Sequence, residues 1–486
     1  MHPVVIVGGG IAGLSTAFEL HRRQQPFVLL EAGARAGGVI LSEQIDGYTV
    51  DGGPDALLVQ KPDGVELCRE LGLGDRLIPT RLPRVAFIQR GGVLHPLPAA
   101  SVLGIPTRIG PFVRTRLFSV AGKLRMGAEL FVPRRPETDD SDESVAAFMT
   151  RRFGAEAATY LAEPLLAGIH AGDVDRLSVR ALFPRFTDAE RQHGSLLRAF
   201  RRQSFQAAQA APDGAFRSLP GGLSEMVNAL VAALPPGSIR LNTPVTRVTR
   251  QTNTPNPSNS QNPVNPVDPV FQVETAAGET LDARSVVLSA PAFVAADILR
   301  DADKDLSRLC GEIPYASSAT IAMAFPRTAI QHPLNGSGFV VPRVEATGIL
   351  AVSWLSSKWA HRAPEGRTLL RVFVGGARDP LALEQSDSVL TARALAAIQP
   401  LLGIAGAPLL TRVYRWQRAS AQHEVGHLAR MRAIEQSLQA HPGLFVTGSG
   451  FRGVGIPDCI ADGRLTANNV FHFLTGTVRS VPGRHS

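Results

Sequence analysis

The sequence predicts an α/β protein with a Rossmann-like nucleotide-binding part built from both ends of the chain. Two glycine-rich turns carry this prediction. Near the start, the apolar run Val4–Val7 leads into Gly8-Gly9-Gly10-Ile11-Ala12-Gly13. Near the finish, Leu444–Thr447 leads into Gly448-Ser449-Gly450, then Gly453-Val454-Gly455-Ile456-Pro457-Asp458. Each is a strand feeding a tight turn and then a helix. A third observation is the switch from helical spacing over 98–210 to strand-like alternation from 218 onward.

The opening βαβ unit comes first. Val4–Val7 reads as a short buried strand, Ile11–Arg23 as a helix ended by Pro26, and Phe27–Leu30 as the next strand. Gly8 permits the tight turn, Gly10 lets the backbone approach a pyrophosphate, and Gly13 lets the helix pack on the strand. The free N–H groups and partial positive charge of the helix start then face the phosphates. Glu31 follows Gly13 by 18 residues, where a carboxylate accepts from ribose hydroxyls and repels a 2′-phosphate.

Three additions exceed what a nicotinamide site requires. Arg35-Ala36-Gly37-Gly38 extends the phosphate cradle just after the ribose-binding acid, and Val50-Asp51-Gly52-Gly53-Pro54 gives another tight turn. The closing segment supplies a second helix N-terminus, opened by Pro457 or Asp458. Aimed at a flavin pyrimidine edge, its dipole would stabilise negative charge. The expected cofactor is FAD.

Residues 60–80 read as an amphipathic helix ending at Gly72 or Gly74. After the helical stretch, Ile239–Asn242 and Val245–Thr249 alternate like half-buried strands. Residues 251–269 are mostly Asn, Pro, Ser, Thr and Val, which predicts a disordered insertion at a hairpin tip. Strands are expected at Phe271–Val273, Val286–Ser289, Thr320–Phe325, Leu369–Val374 and Leu410–Tyr414, and a helix over Ala421–Leu438.

Composition narrows the class. The chain has 486 residues, room for two or three domains. Its three cysteines are far apart and form neither a disulfide framework nor a zinc pattern, so a reducing, cytoplasmic setting and no metal are expected. Neither a secretory signal nor an apolar run of roughly 18 residues is seen. Lys and Arg number 50 against 42 Asp and Glu. Between Arg108 and Arg135 stand seven basic residues and one acid, Glu129. Such a stretch reads as a solvated helical face or a contact with an anionic membrane. No nucleic-acid module is visible, so nucleic acid is not an expected partner.

Taken together, these motifs resemble the FAD-dependent porphyrinogen oxidases of the wider amine oxidase superfamily. The superfamily likeness rests on Gly8–Gly13, Glu31, Arg35-Ala36-Gly37-Gly38 and the closing turn. The narrower likeness rests on Gly53-Pro54-Asp55, Leu94–Pro98, Glu163–Asp173, Leu219–Leu223, Glu424–His427 and Gly453–Ile460. The resemblance implies a discontinuous Rossmann-like FAD-binding domain (1–94, 211–290 and 436–475), a mostly helical domain (95–210), a mixed α+β substrate domain (291–435) and a tail (476–486). Helical domains of some relatives contact membrane. Read with that likeness, FAD contacts fall on Gly8, Gly9, Gly10, Ile11, Ala12, Gly13, Glu31, Ala32, Arg35, Gly38, Val39, Gly53, Pro54, Asp55, Ala56, Val245, Trp416, Val454, Gly455 and Ile456.

Within that family, Val102–Thr107, Phe118–Lys123 and Lys61 look most like the bacterial coproporphyrinogen III oxidases. A tetracarboxylate substrate needs cations at its rim, so Lys61 is a candidate substrate contact. His170, where relatives commonly have Tyr, is a second. The implied reaction removes six hydrogens from a porphyrinogen in three two-electron steps, with dioxygen as acceptor and other haem-pathway enzymes as possible partners. Aromatisation is downhill and pyrrole protons can leave to solvent, so no dedicated acid or base is required and no catalytic residue is assigned. His423 and His427 read as structural. Three alternatives stay open: protoporphyrinogen IX as substrate, a flavin amine oxidase, and a non-catalytic FAD-binding protein.

Overall fold

Val4, Val5, Ile6 and Val7 are all buried, and they divide between two cores. Val4 and Ile6 pack with Leu14, Leu29, Val287 and Ile460 on one face of a sheet, and Val5 and Val7 with Val28, Leu30, Val286 and Leu288 on the other. A strand covered on both faces must be apolar throughout, which is why the sequence shows a run there. The computed structural model describes residues 2–98, 101–102, 105–136, 141–167, 170–201, 213–251 and 270–477. The insertion expected over 251–269 lies outside the described residues from 252 onward, as does the tail from 478.

The opening strand His2–Val7 pairs in parallel with Val28–Leu30 on one side and Thr280–Leu288 on the other. Ile239–Arg240 extends the sheet beyond Val28–Leu30, and Leu444–Val446 beyond the second half of Thr280–Leu288. An antiparallel ribbon, Val245–Gln251 with Val270–Thr275, joins the first half of Thr280–Leu288. Strand order therefore reverses at His2–Val7. That switch point opens a crevice at the carboxyl ends of the parallel strands, beside both glycine turns.

The two chain ends are locked by their helices. Ile11–Arg22 crosses Ile456–Thr475 so closely that a Cβ on Gly463 would lie 2.4 Å from the Ala12 carbonyl oxygen. Thr16 Oγ1 donates to the Gly463 carbonyl at 3.1 Å across this crossing.

A second sheet runs in the order Leu410–Ala421, Tyr315–Pro326, Arg367–Gly375, Ala351–Ser353, Gly338–Val340, Ala86–Arg90, Val93–Pro96. The hairpin Ala86–Pro96 precedes the helical region in sequence, yet it pairs with Gly338–Val340 of this later sheet. The helices expected over 95–210 include Val120–Gly127, Val145–Phe153 and Pro184–His193, around a core of Phe148, Phe153, Phe186 and Phe200. Glu129, the one acid of the basic stretch, points inward and is buried against Arg152. One helix is shorter than its periodicity predicts. Strand pairing continues through Ala421, and the helix begins only at His427, after Gly426 with φ of +90°. Likewise Asp63–Glu70 is helical, followed by a short turn over Gly74–Arg76.

Candidate active site

The first glycine turn is built as its spacing predicts. Gly8 has φ of +108°, and a Cβ on Gly13 would sit 2.1 Å from the Gly8 carbonyl oxygen. Beside Gly10 the space is open, with no atom within 4 Å of the position a Cβ would take. Gly10 caps the helix through Ile11, Ala12 and Gly13 without any side-chain hydrogen bond, so the helix start is free to meet an anion. Glu31 accepts from Gly9 N at 2.6 Å and Gly33 N at 2.7 Å, one on each carboxylate oxygen. Each oxygen keeps lone-pair capacity for a ribose hydroxyl. Glu31 thus also fixes the turn, a role its spacing did not reveal. Ala32 is exposed beside it.

Arg35 braces its own loop. Its Nη atoms donate to the carbonyls of Ala36, Gly38 and Ile40 at 3.2, 2.5 and 2.9 Å. Gly38 lies against Gly10, where a Cβ would approach the Gly10 Cα to 3.3 Å. Val39 is 41% exposed, and its carbonyl oxygen would lie 1.8 Å from a Cβ on Gly53. Trp416 closes this corner, its Nε1–H donating to the Gly52 carbonyl at 3.0 Å. Val39, Gly53 and Trp416, far apart in sequence, therefore share one surface. Val245 stands apart from that corner, at the start of the antiparallel ribbon, packed on the second core.

The turn Asp51–Asp55 is wired into the second sheet. Arg371 Nη1 donates to the Asp51 carbonyl at 2.7 Å and to the Gly53 carbonyl at 2.5 Å, and Nη2 meets Asp55 Oδ1 at 3.0 Å. Lys358 Nζ and Trp359 Nε1 each reach Asp55 Oδ2 at 2.8 Å. Arg362 Nη2 meets Asp51 Oδ2 at 3.0 Å, and Thr320 Oγ1 donates to the Gly52 carbonyl at 2.7 Å. Burial alone would raise both carboxyls. Lys358 and Arg371 overcome it at Asp55, which is held well below the usual carboxylate range. Asp51, with Arg362 opposing burial and the Asp55 charge adding to it, is raised. The Asp55 side chain thus faces the second sheet, while Pro54 and Ala56 are partly exposed on either side. None of the partners Arg371, Lys358, Trp359, Arg362 and Thr320 was singled out by the sequence reading.

The closing turn is clamped by two histidines. His423 Nε2 lies 2.9 Å from the Ser449 carbonyl oxygen and His427 Nε2 2.9 Å from that of Phe451. A carbonyl only accepts, so both Nε2 atoms carry the proton. The rings stack at 3.8 Å, 9° from parallel. Beyond them, Gly455 caps the helix Ile456–Thr475 with no side-chain bond, leaving a second uncapped N-terminus beside Val454 and Ile456.

The structure brings both expected substrate contacts together around an unforeseen third residue. Lys61 Nζ is paired with Asp458 Oδ2 at 2.6 Å and Oδ1 at 2.7 Å. His170 is influenced by both charges, and its pKa is lowered to about 4 by burial, then by Lys61, against Asp458. Its carbonyl accepts from Ser420 Oγ at 2.8 Å and Gln422 Nε2 at 3.0 Å. A separate cavity of about 380 Å³, lined by Arg81, Arg327, His361 and Arg367 among others, shares no residue with the glycine turns.

Comparison with known proteins agrees with this geometry. The family described as flavin containing amine oxidoreductase matches residues 11–471. Coproporphyrinogen III oxidase of Bacillus subtilis (strain 168) is 36% identical, over 97% of this chain and 98% of its own length. The chloroplastic protoporphyrinogen oxidase of Nicotiana tabacum is 28% identical, over 97% of this chain and 86% of its own. A crystal structure from Exiguobacterium sp. 255-15, provisionally named a protoporphyrinogen oxidase, superposes with TM-score 0.82 at 30% identity, over 96% and 98% of the two chains. The chain belongs to the flavin-containing amine oxidoreductase family, and within it lies close to the coproporphyrinogen III oxidases. It is an FAD-dependent oxidoreductase. The open space at Gly10, the two uncapped helix starts and Glu31 fit that cofactor.

Three histidines near the site share one pH signature. His170, His423 and His427 are all lowered, chiefly by burial, His423 to about 3. Each stays neutral in the folded protein where the unfolded chain takes up a proton near pH 6.5. Stability is therefore full above pH 6.5 and falls as pH drops towards about 4. Thermal unfolding of His423→Phe should show a shallower loss between pH 6.5 and 4.5 than the parent. Equal slopes would contradict the neutral clamp.

Proposed function

We propose that this protein oxidises coproporphyrinogen III to coproporphyrin III in haem biosynthesis, with dioxygen as final acceptor. The observation that carries this reading is the near full-length identity to a bacterial coproporphyrinogen III oxidase. Bound FAD supplies the two-electron acceptor for loss of hydride from the porphyrinogen macrocycle. The chain's own residues bind and orient. The helix starts after Gly10 and Gly455 would hold the cofactor together with Glu31, the Asp51–Asp55 turn and Trp416, and the Lys61–Asp458–His170 group would serve the substrate. His170, His423 and His427 stay neutral near pH 7. The two stacked rings donate their Nε2 protons to backbone carbonyls of the closing turn, a structural use, and because aromatisation is downhill no dedicated base is required for the pyrrole protons. The division into FAD-binding, helical and substrate domains belongs to the same reading.

The kinship with a plant protoporphyrinogen oxidase supports a second reading, with protoporphyrinogen IX as substrate. Purified holoprotein assayed in air on both porphyrinogens, followed by porphyrin fluorescence, should favour coproporphyrinogen III in kcat/KM. Preference for protoporphyrinogen IX would reverse the assignment. Amine oxidation through a cysteinyl flavin fits less well. Cys459 is buried, lies 3.3 Å from the Gly453 carbonyl, and burial pushes its thiol up to about 12.

The same reading places the protein in the cytoplasm, docked on anionic membrane. Among the described residues no helix is long and apolar enough to cross a membrane. Ile109, Val113, Val120, Leu124 and Phe131 are nevertheless 60–84% exposed, alongside exposed Arg108, Arg114 and Arg116. Apolar side chains among arginines suit an interfacial contact. Co-sedimentation should be stronger with phosphatidylglycerol vesicles than with phosphatidylcholine, and Leu124→Asp with Phe131→Asp should abolish it. Equal binding by that variant would rule the contact out.

A further inference from the structure

The strand Leu410–Ala421 contains an irregularity that the site described above does not use. It pairs with Tyr315–Pro326 from Leu410 opposite Ala324 to Trp416 opposite Ser318, and again at Ser420 opposite Ala316. Between these points Gln417, Arg418 and Ala419 face Ser317 alone, so the strand bulges. Bulges re-aim side chains and are frequent beside active sites. At its centre Arg418 has φ of +43°, a strained conformation for a residue with a Cβ. Its backbone N–H is held by Ser317 Oγ at 2.8 Å.

The strain puts a cation in a defined place. The Arg418 guanidinium lies 3.6 Å from the centroid of the Phe293 ring. Phe293 is edge-on to Tyr315, with centroids 5.1 Å apart, and the Tyr315 hydroxyl accepts from Ala292 N at 2.8 Å. Gly450 of the closing turn abuts the same hydroxyl, which a Cβ would approach to 2.4 Å. Phe293 follows closely on the parallel strand Thr280–Leu288, so Arg418 overhangs the carboxyl edge of the first sheet. Its neighbours on either side of the bulge touch the site. Trp416 bonds the Gly52 carbonyl and Ser420 the His170 carbonyl.

The other arginines of this strand are neutralised, Arg412 by Glu43 and Arg415 by Asp387. Among the described residues no carboxylate pairs with Arg418. A guanidinium stacked on an aromatic face keeps its N–H edge free for a planar, two-oxygen acceptor. We propose that Arg418 binds a propionate carboxylate of the substrate and so helps set the preference for a tetracarboxylate porphyrinogen. This rests on the porphyrinogen reading. Lys61 already has Asp458 as its counter-ion, whereas Arg418 has no paired carboxylate among the described residues and keeps its charge available to a ligand beside the closing turn.

The test uses holoprotein of Arg418→Gln, Arg418→Lys and Arg418→Gly with coproporphyrinogen III and protoporphyrinogen IX. Loss of a charge-assisted hydrogen bond predicts that Arg418→Gln raises KM for coproporphyrinogen III about tenfold or more. The change for protoporphyrinogen IX should be smaller, with kcat and bound FAD retained. Arg418→Lys should recover part of the loss. Arg418→Gly should show the same KM defect while melting no lower than the parent, because glycine accepts the positive φ. An unchanged KM in active Arg418→Gln would overturn the proposal, as would loss of FAD in place of a KM effect, which would make Arg418 a cofactor ligand. Parent protein that oxidises neither porphyrinogen would overturn the reaction assignment as well, a result distinct from either of these.

Discussion

The turn Asp51-Gly52-Gly53-Pro54-Asp55 is where the two sheets meet, and buried charge holds it there. Asp51 and Asp55 sit four positions apart, both out of water. Two such carboxylates are tolerated only because Arg362, Arg371 and Lys358 are carried to them by the second sheet and its flanking segment. Arg371 does most, because one guanidinium bonds two backbone carbonyls of the turn and one carboxylate. The second sheet is thereby fixed against the first at the point where Gly53, Val39 and Trp416 gather.

The rest of the site follows from that junction. One wall is the crevice at the carboxyl ends of the parallel strands, where the first glycine turn and the closing turn lie side by side. Their helices cross at Gly463, which has no room for a Cβ. The other wall is the strand Leu410–Ala421. Along it, Trp416 reaches the Asp51–Asp55 turn, Arg418 rests on Phe293 and Ser420 holds the His170 carbonyl. Just beyond its end His423, with His427, grips the closing turn. One continuous segment thus runs from the Asp51–Asp55 turn to the closing turn. Its register is set by pairing with Tyr315–Pro326.

Local chemistry made part of this legible in sequence. Gly8 and Gly13 announce their turn because only glycine meets its sterics, Gly10 because it leaves room for a ligand, and the apolar runs at Val4–Val7 and Leu444–Val446 announce strands buried on both faces. Glu31 was readable by spacing, though its grip on Gly9 and Gly33 was not. What escaped was long-range. Arg371, Lys358 and Arg362 look like ordinary arginines and lysine in sequence, and their burial depends on a turn some 300 residues earlier. Asp458 was seen as a helix opener and not as the partner of Lys61. The hairpin Ala86–Pro96 carries no local mark of the sheet it joins, and the helix at His427 starts late because the preceding strand finds a partner as far as Ala421. Periodicity reports which residues are apolar, whereas pairing partners are decided by the whole chain.

The central claim is that the buried charge at Asp51–Asp55 holds the two walls in the geometry that binds FAD. Replacing Arg371 with Met removes one partner of a buried pair and frees two carbonyls of the turn, a loss of about 3–5 kcal/mol in stability. The decisive measurement is FAD affinity of Arg371→Met, by fluorescence titration of apoprotein at a temperature where circular dichroism shows it folded. The account predicts markedly weaker FAD binding together with a lowered unfolding temperature. FAD bound as tightly as in the parent, with unfolding unchanged, would contradict it.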